Sequence, residues 1–264
     1  MTPLSLKYSV AEHKARAVLD DCGIDEPKDI SVKDIILGRG AFYNERPLVG
    51  KEGEIMTVGN RSIITINSNI DVSTKKRFAS AHELGHYEMH RKLQPRIVDT
   101  EYNFINWYKN GPQEVEANEF AAEFLMPSDL FSQYCEKKKF SPAIIESLAT
   151  RFQVSKTAAI LKFAKRGNHP VFIVYCQDNK MKWFNKSDDF YYFSRFEHGL
   201  KPPDGTMAYE LFTTNDVYIG DEKKQAIWKS DWFILKDDEK DKRFYEYCLF
   251  VKAFNYTLSI IWED

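Results

Sequence analysis

Residues 77–86 read RFASAHELGH, which contains an H-E-x-x-H pattern. The flanking residues hold no helix breaker, so the stretch predicts a helix with His82 and His86 on one face, about one turn apart. Two imidazoles at this spacing can reach a single Zn²⁺ in roughly tetrahedral geometry. Glu83 then stands beside the metal without binding it, where a general base for an activated water is needed. The pattern therefore indicates a hydrolytic zinc site of the peptidase kind.

The third metal ligand distinguishes the classes of such sites. An extended motif that returns a third imidazole needs glycine at position 89 and histidine at position 92, but this chain has Met89 and Lys92. His90 lies two turns, or about 12 Å, from His82 along the helix axis, which is too far for one ion. We therefore interpret His90 as a partly buried histidine that favours the negative end of the helix dipole. A carboxylate from another helix is the remaining choice.

Residues 113–125 predict a second helix, which ends before Pro127. Its alanines are small enough to let it pack closely against the first helix. Glu114 and Asn118 lie one turn apart on the same face of this helix. A metal ligand at Glu114 would thus place the Asn118 amide within reach of the far nitrogen of one ligand histidine. Glu114 is the predicted third ligand, and Asn118 is predicted to orient a histidine.

The second helix carries three further carboxylates. Glu116 points about 160° away from Glu114 around the helix, and we expect its side chain to be solvated. We expect Glu119 and Glu123 to be surface charges as well. Loss of the Glu116 carboxylate is therefore expected to leave metal binding nearly unchanged.

In combination, RFASAHELGH and the sequence EVEANEFAAEFLMP at residues 114–127 resemble the ImmA/IrrE family of metallopeptidases. The resemblance covers roughly residues 1–165. It implies a gluzincin-like zinc site whose ligands are His82, His86 and Glu114. The base in this site would be Glu83. It also implies an antirepressor that cleaves a helix-turn-helix repressor after stress or DNA damage, often in phage, mobile-element or toxin-antitoxin settings. The rest of the chain resembles no family that we can name.

The predicted fold class is α+β, with three parts along the chain. These are a zincin-like metallopeptidase domain, a helix-turn-helix-like helical segment and a C-terminal mixed α+β module, at residues 1–135, 136–167 and 168–264. From Pro170 onward, β-favouring stretches alternate with turn residues, and no cofactor motif is visible. We expect the last module to act in sensing or substrate docking, although a merely structural role fits the sequence equally well.

Residues 141–166 are typical of a helix-turn-helix. Four basic residues supply positive charge to this segment: Lys156, Lys162, Lys165 and Arg166. The first turn of the second helix nevertheless offers Thr157 and two alanines instead of an Arg, Asn or Gln that reads base edges. We therefore expect scaffolding or partner docking rather than direct DNA binding by this segment.

Two segments beside the metal helix could contact a substrate. Residues 63–67 predict a strand, and by the resemblance an edge strand there would align an extended peptide beside the zinc. An ordinary core strand fits the same residues equally well. Residues 92–112 form a long aromatic loop that could be a wall or lid of a cleft. Tyr102 or Tyr108 in this loop could stabilise the developing oxyanion, although a buried aromatic cluster explains the same residues.

Length, composition and charge exclude several other classes of protein. With 264 residues, 43% of them hydrophobic, the chain can bury a substantial core. Its apolar runs are far shorter than the ~20 residues of a membrane span and its N-terminus lacks a signal pattern, so we expect no membrane contact and a cytoplasmic setting. Its cysteines are isolated, which predicts neither disulfides nor a cysteine zinc site. The net charge of -2 gives no general attraction to nucleic acid.

These observations favour a cytoplasmic zinc-dependent endopeptidase, and the resemblance to ImmA/IrrE proteins implies that its partner is a helix-turn-helix repressor. The alternative is a non-proteolytic regulator that binds a repressor or DNA and uses the metal only to fix its fold. A catalytic site keeps one metal position open to water, whereas a structural site is closed by four protein ligands. The ligand set in the folded chain therefore distinguishes the two interpretations.

Overall fold

The computed structural model describes residues 8–93, 96–98, 111–214 and 224–263. These residues form helices and two separate β-sheets, which confirms the predicted α+β class. Within the described ranges, no helix combines the length and the apolar character needed to cross a membrane.

The chain divides into two compact units. The first consists of Met1–Leu130 with Ala149–Ser155, and the second of Phe131–Leu148 with Lys156–Asp264. This division into two compact units does not test the three functional parts predicted from the sequence. The three-part division therefore stays a prediction.

Helices and strands follow one another in mixed order. The helices are α1 (Val10–Asp21), α2 (Val32–Gly38), α3 (Ser73–Met89), α4 (Pro112–Leu125), α5 (Ser128–Cys135), α6 (Pro142–Phe152), α7 (Lys156–Arg166), α8 (Met207–Thr213) and α9 (Lys229–Trp232). The strands are β1 (Phe42–Arg46), β2 (Gly53–Val58), β3 (Arg61–Asn67), β4 (Arg96–Val98), β5 (Phe172–Gln177), β6 (Lys180–Lys186), β7 (Gln225–Trp228), β8 (Arg243–Val251) and β9 (Tyr256–Glu263).

The first sheet has the strand order β1-β3-β2-β4. β3 pairs antiparallel with β2 on one side and parallel with β1 on the other, so the strand predicted at residues 63–67 is an inner strand. The expectation of an edge strand that aligns a substrate is therefore wrong, and the core-strand alternative holds. The partner strand β1 reads FYNER and is mostly exposed, so hydrophobic patterning does not reveal the pairing.

α3, which carries the H-E-x-x-H pattern, is packed from several sides. It contacts β2 and β3 of the sheet and lies against α4. Its residues from Phe78 to Tyr87 are all buried, as expected for a helix surrounded by other elements. Gly85 faces α4, and a Cβ there would lie 3.1 to 3.2 Å from the Phe120 side chain. The glycine within the motif therefore permits the close approach that brings α4 to the histidines.

The prediction that Glu123 of α4 is a surface charge is wrong. Expected at the surface, it is fully buried, and its carboxylate accepts hydrogen bonds from the backbone N–H and the hydroxyl of Ser128 at 3.0 and 2.6 Å. Arg16 lies 3.3 Å from the same carboxylate. Because α5 begins at Ser128, Glu123 caps the N-terminus of that helix, which periodicity within α4 does not indicate. Glu119 is half-buried rather than fully exposed.

The second sheet is antiparallel and has the order β6-β5-β9-β8-β7. A cluster of buried side chains from its strands and the segments between them forms the core of the second unit. The larger members of this cluster are Phe172, Phe190, Trp232, Phe233 and Phe244. The core of this unit is therefore built largely from aromatic rings.

α6 and α7 are the two helices predicted for the helix-turn-helix-like segment, and Gln153 between them has a positive φ. α7 contacts β6, and Ala158 and Ala159 in its first turn are buried. Lys162, one of the basic residues counted towards the positive charge of this segment, is only 5% exposed. α7 thus uses its first turn and one lysine for packing within the second unit, which favours the expected scaffolding role over DNA contact.

Candidate metal centre

His82 and His86 project from successive turns of α3, and both are buried. Their Nε2 atoms lie 2.9 Å apart, so the two imidazole rings converge on one point. This convergence is what the four-residue spacing predicts, because four residues make about one turn of an α-helix.

Glu114, in the first turn of α4, completes a three-residue cluster. Its Oε2 lies 3.3 Å from His82 Nε2, and its Oε1 lies 3.3 Å from His86 Nε2. The ligand atoms of the cluster all lie within 4.8 Å of one another. Donors about 2.1 Å from a tetrahedral zinc ion are about 3.4 Å apart, so the cluster has dimensions suited to such an ion. The residues present therefore fit a bound metal.

The charge of Glu114 also suits a cation. Burial by itself raises the pKa of this carboxyl, but its contacts with His82 and His86 outweigh burial and hold the pKa well below its usual range. Glu114 is therefore ionised at neutral pH. One carboxylate with two imidazoles is a donor set found in catalytic zinc sites.

Asn118 lies one turn after Glu114 and contacts the far side of His82. Its Oδ1 is 3.1 Å from His82 Nδ1, and its side chain is buried. An N–H at His82 Nδ1 can donate to this oxygen, which leaves Nε2 available for a metal. This geometry suits the orienting role expected for Asn118, which stays a prediction.

His90, the residue that follows α3, contacts His86, the other histidine of the cluster. Its Nδ1 lies 2.9 Å from His86 Nδ1, and its Nε2 lies 2.9 Å from Glu116 Oε2. The sequence interpretation treated His90 as a helix-end residue and Glu116 as a solvated charge, and it missed both contacts. The Glu116 side chain is 48% exposed and still reaches His90. Helical phase gives the direction in which a side chain leaves its helix, but a long side chain can extend to a neighbouring helix.

Glu83, the predicted base, is buried on α3 beside His82 and near His86, and it is not a member of the three-residue cluster. The first residue of β2, Gly53, lies against it. A Cβ at position 53 would overlap the Glu83 carboxylate and lie 2.7 Å from its Cγ. Gly53 therefore leaves the space that Glu83 occupies, although the sequence marks it only as a glycine at the start of a strand.

We expect Gly53→Ala to displace Glu83 and to lower the rate of casein cleavage by about 10-fold or more, because small misplacements of a reacting group are costly. Metal content per chain should stay near that of the wild type, since Glu83 is not a member of the three-residue cluster. Gly38→Ala is the matched control, because its added Cβ meets no atom within 4 Å. Equal cleavage rates for the two variants would show that β2 does not hold the base in place.

Tyr102 and Tyr108 lie outside the described residues, as does most of the loop that contains them. Their role as oxyanion donors stays a prediction.

The fold and the cluster define an H-E-x-x-H site completed by a carboxylate from a second helix. Comparison with known families agrees with this class. Residues 40–163, slightly less than half of the chain, match the IrrE N-terminal-like domain of a peptidase family. The resemblance to ImmA/IrrE proteins is thereby confirmed.

The proteins that are similar to this chain include a phage protein and a solved structure of a bacterial regulator. Uncharacterized immunity region protein 2 of Bacillus phage phi105 is 39% identical over 72 residues, which is 27% of this chain. The chain spans only 42% of the length of that relative. A solved structure of a Mycobacterium tuberculosis transcriptional regulator is also similar in fold. The alignment covers 97% of this chain and 77% of the regulator chain, with a TM-score of 0.63 and 12% sequence identity. At that identity, the likeness shows the fold alone.

Proposed function

We propose that this protein is a zinc-dependent endopeptidase. The observation that carries the proposal is the position of Glu83, which is buried beside His82 and His86 but lies outside the cluster that they form with Glu114. A general base for hydrolysis must stand close to the metal without binding it. The peptidase family of residues 40–163 supports the same class of reaction.

The size of the ligand set supports a catalytic metal. Structural zinc sites are closed by four protein ligands, whereas catalytic sites use three and leave one position open. Within the part of the chain that the structure describes, the cluster has three members: His82, His86 and Glu114. This count favours a peptidase over a non-proteolytic regulator whose metal only fixes the fold.

A zinc ion held by this cluster would lower the pKa of a water molecule at the site from about 15.7 towards 7 and polarise the scissile carbonyl. The Glu83 carboxylate accepts the proton of the attacking water as its oxygen bonds to the carbonyl carbon. Glu83 then donates that proton to the nitrogen of the leaving amine as the C–N bond breaks. Gly53, which has no Cβ, leaves the space that this carboxylate occupies.

We infer that the substrate is a helix-turn-helix repressor. The inference rests on the resemblance to ImmA/IrrE proteins and on the similarity to a protein from a phage immunity region. Such a substrate implies a cytoplasmic antirepressor that acts in stress responses or in the regulation of a mobile element. Cleavage of the repressor protein requires no direct DNA contact by this chain.

We propose that the C-terminal module, residues 168–264, selects the substrate or senses a signal. It exposes several large aromatic side chains, a residue type enriched at recognition surfaces: Tyr191, Phe193, Trp228 and Phe254. Phe193→Ser should then slow repressor cleavage several-fold and leave casein cleavage unchanged. Equal slowing of both substrates, or of neither, would contradict a selective role for this surface.

The full-length Glu83→Gln variant is the tool that identifies the substrate. It should retain the partner without cleaving it, so affinity capture followed by mass spectrometry is expected to recover a helix-turn-helix repressor. The zinc-loaded wild type should cleave the captured protein, and removal of the metal with a chelator should stop the cleavage. Failure of the wild type to cleave any captured protein would contradict the proposed function.

A further inference from the structure

We propose that His90 and Glu116 form a relay that positions the metal ligand His86 and sets its affinity for the metal. This inference rests on the proposed metal site and adds two positioning residues to it. Both residues act through His86, because neither belongs to the cluster of ligand atoms.

The hydrogen bonds of the relay are consistent with one arrangement of protons. If His86 binds a metal through Nε2, its Nδ1 carries a hydrogen, which can be donated to His90 Nδ1 at 2.9 Å. His90 then carries its own hydrogen on Nε2 and donates it to Glu116 Oε2, also at 2.9 Å. Every donor thus has an acceptor, and the series of hydrogen bonds ends at the Glu116 carboxylate. The relay therefore fixes the tautomer that His86 needs as a ligand.

The two ligand histidines are supported in different ways. His82 Nδ1 meets the carboxamide oxygen of Asn118, whereas His86 Nδ1 meets an imidazole that a carboxylate supports in turn. Hydrogen bonds in a chain polarise one another, so the charge of Glu116 increases the electron density at His86 Nε2. We therefore expect His86 to be the stronger metal donor of the two.

The relay also joins the two helices that carry the ligands. His90 follows the last residue of α3 and is only 2% exposed, so water cannot readily replace it as the acceptor for His86. Glu116 lies two residues after Glu114 near the start of α4. The contact between His90 and Glu116 therefore holds the start of α4 against the end of α3, and it keeps Glu114 close to the histidines before a metal binds.

The test is the metal affinity of the full-length protein, measured for Zn²⁺ by competition with a chromogenic chelator and for Co²⁺ by visible absorption. His90→Phe removes the acceptor and keeps an aromatic ring, while Glu116→Ala removes the end of the relay. Each should lower the Zn²⁺ affinity about 10- to 100-fold and shift the Co²⁺ bands. For Glu116→Ala, this replaces the sequence-based expectation of an unchanged affinity.

Rescue and control variants distinguish positioning from packing. His90→Gln should recover part of the affinity, because its carboxamide oxygen can accept the hydrogen from His86. Glu116→Gln should lose less affinity than Glu116→Ala, because it keeps an acceptor oxygen and loses only the charge. Glu136→Ala removes the same charge at an exposed position and should leave the affinity unchanged.

Zn²⁺ affinities within twofold of the wild type for both His90→Phe and Glu116→Ala would overturn the proposal. Should His90→Phe fail to fold, the two Glu116 variants decide alone, since that side chain is half-exposed. Metal affinity does not depend on proteolysis. If the peptidase proposal fails, no cleavage is seen but the His90 and Glu116 variants still bind Zn²⁺ more weakly than the wild type. If the relay proposal fails, these variants bind Zn²⁺ as tightly as the wild type.

Discussion

Glu83→Gln is expected to bind one metal ion per chain with wild-type affinity and to cleave its substrate more slowly by a factor on the order of 100 or more. The amide keeps the shape of the side chain but cannot accept the proton of the attacking water. Metal binding should persist, because the ligand cluster consists of His82, His86 and Glu114. The measurements are the metal content after dialysis and the cleavage rates of labelled casein and of the captured repressor.

A charge-matched variant and a stability measurement complete this test. Glu136→Gln changes the same group at an exposed position and should cleave at the wild-type rate. The thermal unfolding midpoint of Glu83→Gln should stay near that of the wild type, so that a loss of rate cannot come from unfolding. Cleavage by Glu83→Gln at the wild-type rate would end the peptidase interpretation.

Glu114→Ala is expected to weaken zinc binding by a factor on the order of 100 or more, since changes to residues that only orient a ligand already cost 10- to 100-fold. The variant leaves two imidazoles without the carboxylate that lies 3.3 Å from each, so the site lacks its third protein ligand. Chelator competition on the full-length protein measures the effect. Casein cleavage should fall with metal occupancy.

Glu116→Ala, on the same helix, provides the comparison for this prediction. Its loss of affinity should be clearly smaller than that of Glu114→Ala, because Glu116 reaches the site only through His90. Glu114→Gln should lie close to Glu114→Ala, since it keeps the shape and removes the charge. If Glu116→Ala loses zinc and Glu114→Ala retains it, the assignment of the third ligand is wrong.

The pairs of residues within one helix could be predicted from the sequence because the α-helix has a fixed geometry. A spacing of four residues places His82 above His86, and the same spacing places Asn118 one turn after Glu114. These relationships need no knowledge of other elements. The family resemblance then relates the two helices to each other and to a peptidase reaction.

Contacts between helices could not be derived in this way. His90 meets Glu116, and Glu123 caps α5, because of where α4 and α5 begin relative to their neighbours. Hydrophobic periodicity describes one helix at a time and does not predict where one helix begins relative to another. The carboxylates assigned to solvent were therefore the ones most prone to error.

The sheet shows the same limit. Whether β3 is an edge or an inner strand depends on its pairing with β1, whose residues are mostly exposed and lack an alternating pattern. The importance of Gly53 depends on β2 running past Glu83, a contact between residues 30 positions apart. A single glycine at the start of a strand has many explanations, and only the neighbouring side chain identifies this one.

Diffraction at the zinc absorption edge from crystals of the zinc-loaded full-length protein tests the central claim most directly. The account predicts one anomalous peak about 2.0 to 2.2 Å from His82 Nε2, His86 Nε2 and a Glu114 oxygen, with the remaining position open to solvent and Glu83 beside it. A fourth protein ligand that closes the site, or a peak bound by Glu83, would contradict it.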